Sequence, residues 1–220
     1  MRRALIVLIV LALAAAAAIW IADRPGTVTL AVADLVVEAP LWLVGLAFAL
    51  LLIVFGGLPG TGKTTISRAL AARLRAVYLR IDAVEQALRD SGVLSGEVGP
   101  AGYLAAMALA RSNLENGHTV IADCVNPVPE SREGWVTAAR TAGVRLLQVE
   151  VICSDVAEHR RRVEGREADI AGHLQPDWAA VEARDYHPWP EADVVIDTAR
   201  LTPEAAVAGL ERLALQDGPL

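Results

Sequence analysis

Hydrophobic and polar positions fall along this chain in blocks whose period changes twice. Two apolar runs come first: Ala4 to Ala22 holds no charged or polar side chain, and Leu41 to Phe55 follows a stretch from Asp23 to Pro40 that contains Asp23, Arg24, Asp34 and Glu38. From Leu51 onward, short aliphatic runs alternate with segments of helical period. Residues 51–55, 76–81, 118–122, 145–153 and 193–196 read as strands. Helices are expected over 64–74, striped by Ile66, Ala69, Leu70 and Leu74, and over 83–90, 103–116, 130–142, 156–167 and 203–215. Gly117 and Gly143 stand as helix stops, and Pro203 suits a first turn. Gly92 to Gly102 reads as a mobile loop, and 169–190, with Pro176, Pro188 and Pro190, as irregular chain. Strands alternating with helices predict an α/β domain with a parallel sheet covered on both faces and right-handed crossovers.

The first 50 residues need a separate account. Ala4 to Ala22 is about 19 residues, which at about 1.5 Å each spans most of a ~30 Å hydrocarbon core. Arg2 and Arg3 precede it, so the positive-inside rule keeps the N-terminus cytoplasmic, and Trp20 suits an interfacial anchor. A cleavable signal peptide or a buried core helix are the alternatives. Leu41 to Leu50 is too short for a full second span, and the next five residues are needed as sheet core. The expected division is therefore a membrane-anchoring segment over 1–50 (transmembrane helix 4–22, polar link 23–40, short apolar run 41–50) and a second domain over 51–220.

One eight-residue motif changes the picture most. Gly57-Leu58-Pro59-Gly60-Thr61-Gly62-Lys63-Thr64 is a complete G-x-x-x-x-G-K-[ST] phosphate loop between an expected strand and an expected helix. Gly57, Pro59, Gly60, Thr61 and Gly62 would turn backbone N–H groups toward phosphates, and Thr65 extends the contact into the helix N-terminus. Lys63 is the only lysine in 220 residues, every other strong base being arginine. A compact ammonium reaches between β- and γ-phosphates where a planar guanidinium does not. Thr64 would place its hydroxyl on Mg²⁺, and ATP·Mg²⁺ is the expected cofactor.

Composition narrows the class. The formal net charge is −6 without long basic runs, so no nucleic-acid surface is expected. Cys124 and Cys153 lie far apart in expected strands and read as reduced core thiols.

Four further groups are candidates for chemistry. Thr119 to Asp123 is an apolar strand delivering a carboxylate at its tip, which places Asp123 beside the metal; a strand-end turn cap is the alternative. Its neighbour is Cys124, where a water-activating site often carries Glu. Asp82 ends the second strand with Glu85 three residues on, so it reads either as a D-x-x-E helix cap or as the carboxylate that orients an acceptor hydroxyl. His159 to Arg166 holds the densest positive charge, and Arg162 and Arg166, four apart, are expected on one helix face as a lid clamping the transferring phosphoryl group, or as a solvated face paired with glutamates. Trp178, Arg184, Tyr186, His187 and Trp189 read as local core or as an acceptor pocket.

Taken together, Ile53 to Thr65, Tyr78 to Asp82, Asp123 with Asn126-Pro127 and the Arg160 to Arg166 segment resemble the small P-loop kinases often called AAA family ATPases or predicted kinases. Relatives include adenylylsulfate kinase, chloramphenicol phosphotransferase, zeta toxins and the polynucleotide kinase domain. The resemblance covers residues 51–215. It implies a P-loop NTPase three-layer fold with five parallel strands in order 2-3-1-4-5, ATP and Mg²⁺, and transfer to a hydroxyl of a small-molecule or nucleotide acceptor. The helical lid domain of AAA+ motors has no room here. Residues 1–50 resemble the N-terminus of the HemY family of inner-membrane proteins, through the apolar span, the Ala22 to Gly26 turn and Thr27 to Leu30. The expected product is a membrane-attached phosphotransferase facing the cytoplasm, or a cytoplasmic one should the first 50 residues not belong to the natural product. A membrane-tethered ATP-binding module or weak ATPase is the alternative.

Overall fold

A computed structural model describes residues 27–32, 35–40, 50–94 and 96–216. The chain divides into two units, Met1–Ala49 and Leu50–Leu220. In the first, β1 (Thr27–Val32) and β2 (Leu35–Pro40) form an antiparallel pair registering Thr27 with Pro40 and Val32 with Leu35. The stretch expected to be a polar link is thus paired strand, and its Thr and Val content explains why, since β-branched residues fit a pleated ladder. The expected transmembrane helix 4–22 and the apolar run 41–49 lie outside the described residues. Among the described residues no helix is long and apolar enough to cross a membrane.

The second unit is built on β3 (Leu51–Gly56), β4 (Val77–Arg80), β5 (Val120–Asp123), β6 (Arg145–Ile152) and β7 (Val194–Asp197), all parallel, in the order β4-β5-β3-β6-β7. This is the expected 2-3-1-4-5 arrangement of a P-loop NTPase. β3 lies at the centre, with Leu52, Ile53, Val54 and Phe55 fully buried. Its alternate residues feed two cores. Leu51, Ile53 and Phe55 pack with Ile66 and Leu70 of α1 (Lys63–Leu74) and Val207 and Leu210 of α7 (Pro203–Ala214). Leu52 and Val54 pack with Ala106, Ala110 and Leu114 of α3 (Ala101–Glu115) and Trp135 of α4 (Pro129–Ala142). A strand covered on both faces has to be apolar at every position, which is why 51–55 shows no alternation.

Three boundaries differ from expectation in ways that affect the site. α2 runs Ile81–Asp90, beginning one residue before Asp82, and its N-cap is Arg80 without a side-chain cap bond. Asp82 is therefore a first-turn residue and no cap. α5 runs only Val156–Glu164, since Gly165 ends it, so Arg166 lies beyond the helix and does not share a helical face with Arg162. The irregular stretch contains a short helix, α6 (Trp178–Glu182), capped by the Asp177 side chain.

The end of that stretch is held by Arg132, which is nearly fully buried on α4 and among the described residues has no carboxylate partner. It donates to the carbonyls of Asn126 (2.9 Å), Pro188 (2.7 Å), His187 (2.6 Å) and Pro127 (3.3 Å) and stacks on Tyr186 and Trp189. Trp189 closes under Gly56, where an added Cβ would lie 2.4 Å from its ring. Replacing Arg132 by Leu orphans several buried acceptors at once and is expected to lower the unfolding free energy by more than about 2 kcal/mol. Urea denaturation measures it, and a midpoint equal to that of the wild type would show the network to be dispensable.

Candidate active site

The site forms where β3 gives way to α1. Gly57 adopts φ 135°, and a Cβ there would meet the Val151 carbonyl at 2.1 Å, so only glycine lets the chain leave β3 so close to β6. Its N–H donates to the Val125 carbonyl at 2.9 Å, which joins the loop to the segment after β5. Gly60 has φ 85° and lies against α5: a Cβ would stand 2.5 Å from the Val163 side chain. Beside it, His159 Nε2 donates to the Pro59 carbonyl at 2.8 Å, a buried bond that fixes the loop from the α5 side. The Thr61 hydroxyl donates to the Leu58 carbonyl at 2.9 Å, and the Thr61 carbonyl accepts from the Thr198 hydroxyl at 2.8 Å.

Lys63 is the first residue of α1 and only 8% exposed. Its ammonium donates to the Leu58 carbonyl at 3.1 Å. Burial pushes its pKa below the usual lysine value, opposed by the negative charges of Asp123 and Asp82. A desolvated cation of this kind is a strong site for an anion. Thr64 and Thr65 follow on the first turn and, with Pro59, Gly60, Gly62 and Lys63, line a cavity of about 1040 Å³. Gly57 and Thr61 support the loop from beneath and do not line it.

Asp123 ends β5 beside Phe55 and is buried. Tyr78 donates its hydroxyl to the Asp123 carboxylate at 2.6 Å, and the negative charge together with burial pushes the phenol well above its ordinary pKa. The bond holds one carboxylate oxygen, and Asp123 is among the residues that line the cavity. Cys124 has its thiol against the Phe55 carbonyl at 3.2 Å, and burial pushes its pKa well up, so it stays neutral and cannot serve as a base. Among the described residues no three His, Cys, Asp or Glu side chains are placed to hold a metal by themselves. Mg²⁺ accompanying a nucleotide needs only one or two protein ligands, and Asp123 with the Thr64 hydroxyl fits that requirement.

Asp82 lines the same cavity with Glu85, Arg89 and Tyr103. Among the described residues its carboxylate accepts no hydrogen bond; its nearest cation is Arg80, 3.7 Å away. Arg166 also lines the cavity and makes no ion pair among the described residues. Arg162 lines it too, but its guanidinium is committed: Nε to Glu158 at 2.7 Å and Nη1 to the Thr198 hydroxyl at 2.9 Å. Glu158, sharing Arg161 and Arg162, is drawn down to about 2. The expected arginine pair is thus divided, one member structural in this state and one free.

Several cavity residues carry no local sequence signal. Asp169, in the loop after α5, accepts both Arg80 Nη atoms (2.6 and 3.0 Å) and Arg68 (3.1 Å) and is held at about 2 chiefly by Arg80. The side-chain amide of Gln175 and the Nδ1 of His173 are buried without partners and belong to cavity-lining residues, as does the exposed Arg184. Of the aromatic group, Trp189 is core and Tyr186 donates to Glu150, so the segment contributes Arg184 to the cavity and its rings to packing.

A glycine loop, a buried lysine on a helix N-terminus and a strand-tip carboxylate on a 2-3-1-4-5 parallel sheet define a small P-loop kinase-like protein. Residues 52–183 match AAA_33, described as an AAA domain, and the chain belongs to that family. A kinase candidate from Chloroflexus aurantiacus superposes with a TM-score of 0.62 at 25% identity, covering 76% of this chain and 100% of that one. The APS kinase CysC of Mycobacterium tuberculosis, solved with AMPPNP and APS, shares the fold with a TM-score of 0.55 at 18% identity, over 75% of this chain and 98% of that one. By sequence the chain is similar to the uncharacterized protein Rv2004c of Mycobacterium tuberculosis, 38% identical over 93 residues. That match spans 37% of this chain and 19% of the relative. The family match begins at residue 52, so the HemY-like reading of 1–50 gains nothing from it.

The Tyr78 bond to Asp123 yields a direct test. Tyr78→Phe keeps the ring and removes the donor, and the Mg²⁺ concentration needed for half-maximal ATP binding is expected to rise about 10-fold. Titration calorimetry of ATP at varied Mg²⁺ reads it; an unchanged requirement would show that Asp123 needs no such support.

Proposed function

We propose that this protein is an ATP-dependent phosphotransferase that moves the γ-phosphate to a hydroxyl of a small-molecule or nucleotide acceptor. The observation that carries the reading is one cavity lined by Lys63 on the phosphate loop and by Asp82, a carboxylate without a hydrogen-bond donor. Lys63 and the loop amides would bind the β- and γ-phosphates, Thr64 and Asp123 would hold Mg²⁺, and Arg166 would face the transferring group. Bound Mg²⁺ supplies charge neutralisation of the phosphates. Asp82 accepts the proton of the acceptor hydroxyl as its oxygen bonds to the γ-phosphorus and the bond to the β-phosphate oxygen breaks, releasing ADP.

The competing reading is an ATP-binding module with little turnover. Cys124, neutral and bound to Phe55, cannot activate water, which supports slow hydrolysis under either reading. Extended to the first 50 residues, the proposal includes membrane attachment through Ala4–Ala22, which fractionation of the full chain against one starting near Leu51 tests.

Two substitutions separate the readings in an acceptor screen with γ-labelled ATP. Lys63→Arg is expected to cost at least about 10²-fold in turnover with the fold retained, because a guanidinium in place of the ammonium misplaces the charge. Near-normal turnover of that variant would sink the assignment. Asp82→Asn is expected to lower kcat about 10²-fold or more while ATP affinity holds. Loss of ATP binding in equal measure would assign Asp82 to the nucleotide instead.

A further inference from the structure

We infer that Asp169 is a positioning residue: by engaging Arg80 it keeps that guanidinium off Asp82 and so leaves the Asp82 carboxylate available to the acceptor. The inference rests on the phosphotransfer reading of the site. Arg80 ends β4 with its side chain only 6% exposed, and a buried guanidinium cannot shed its charge, so it needs acceptors, of which a carboxylate is the strongest. Two are within reach. Asp169 takes the bidentate geometry at 2.6 and 3.0 Å, while Asp82 stands at 3.7 Å from Arg80 Nη2, outside hydrogen-bond distance. The third carboxylate of the neighbourhood, Asp123, is occupied by Tyr78. Arg68 approaches Asp169 from α1 but is exposed, and water can satisfy it when Asp169 leaves.

The two carboxylates differ in what carries them. Asp82 is fixed in the first turn of α2, whereas Asp169 belongs to the loop between α5 and α6, which crosses to α2 and there lays Gly172 against the Gln86 amide. The same loop brings Arg166, His173 and Gln175 to the cavity. When the loop is seated, Arg80 is satisfied by Asp169 and Asp82 is free. When it is not, the nearest acceptor for Arg80 is Asp82, which a rotamer change brings into contact. Seating of the loop and readiness of the proton acceptor are thereby one event.

Asp169→Asn tests this in two ways. In a crystal structure of the variant, Arg80 is expected to close on Asp82 to about 2.8–3.0 Å. With ATP·Mg²⁺ and water as acceptor, kcat is expected to fall at least about 10-fold, with the KM for ATP changed less than about 2-fold. Adding Arg80→Gln to Asp169→Asn should restore most of the lost rate, because the guanidinium that captures Asp82 is gone, and Asp169→Glu alone should stay near the wild type. A loop anchor with no effect on Asp82 predicts the opposite, a double variant as slow as or slower than Asp169→Asn. An unchanged Arg80–Asp82 separation in the variant crystal, or no recovery in the double variant, overturns the inference. Wild-type protein that binds ATP but transfers no phosphate to any hydroxyl in the acceptor screen would refute the phosphotransfer reading instead, and the crystal geometry would still decide the pairing.

Discussion

The constraint on which the structure turns is a positive charge kept where water cannot solvate it. Lys63 is buried at the start of α1, and burial works against its ammonium. What keeps it there is geometry supplied from several elements: the Leu58 carbonyl and the carboxylates of Asp123 and Asp82. Each depends on the central position of β3, whose two fully covered faces fix where the loop begins. β3 is flanked by β5 and β6, and the chain turns to opposite sides of it on leaving β3 and on leaving β5. A crevice therefore opens at the carboxyl ends of these strands, as it does wherever connections part in an open parallel sheet.

Asp123 ends β5, Asp82 lies in the first turn of α2 just after the adjacent strand β4, and the two have opposite surroundings. Asp123 is buried, restrained by Tyr78 and paired in register with Phe55, which suits a ligand whose position must not vary. Asp82 is one-third exposed and has no hydrogen-bond donor, which suits a group that must take up a proton from an incoming molecule. Two identical functional groups are thus differentiated by their shells alone.

The sequence made the phosphate loop legible because all of its residues are contiguous and each has a local conformational reason. The sheet was legible because β3 is a run too apolar to be anything but buried strand, and β5 and β6 are short β-rich runs set between segments of helical period. What escaped depends on contacts made over distance. Arg166 looked like the partner of Arg162 only if the helix continued, and Gly165 ends it. Arg162 read either as a phosphoryl clamp or as paired with glutamates, and the pairing is what forms, with Glu158 one turn back and Thr198 in a different segment taking its donors. Asp82 resembled a cap because D-x-x-E is a capping pattern, whereas the helix begins earlier. What ties Tyr78, Arg80, Arg132 and Asp169 together is long-range: their side-chain hydrogen bonds reach 45 to 101 residues in the first, second and last cases and 55 to 56 for the Arg132 contacts to His187 and Pro188.

These long-range arginines also explain how an irregular stretch can form a specific wall. The chain from Arg166 to Pro190 has one short helix and no strand, so its backbone acceptors and its path need partners from outside. Arg80 and Arg68 hold it near one end through the Asp169 carboxylate, and Arg132 holds it at the other through the carbonyls of His187 and Pro188. Between the two anchors lie the cavity-lining residues His173, Gln175 and Arg184, and among the described residues His173 Nδ1 and both polar atoms of the Gln175 amide are buried without hydrogen-bond partners. A buried amide with both atoms unpaired costs free energy, which the anchors at either end of the segment offset. The two ends of this segment are thus anchored by the fold, while its middle sets side chains along the cavity.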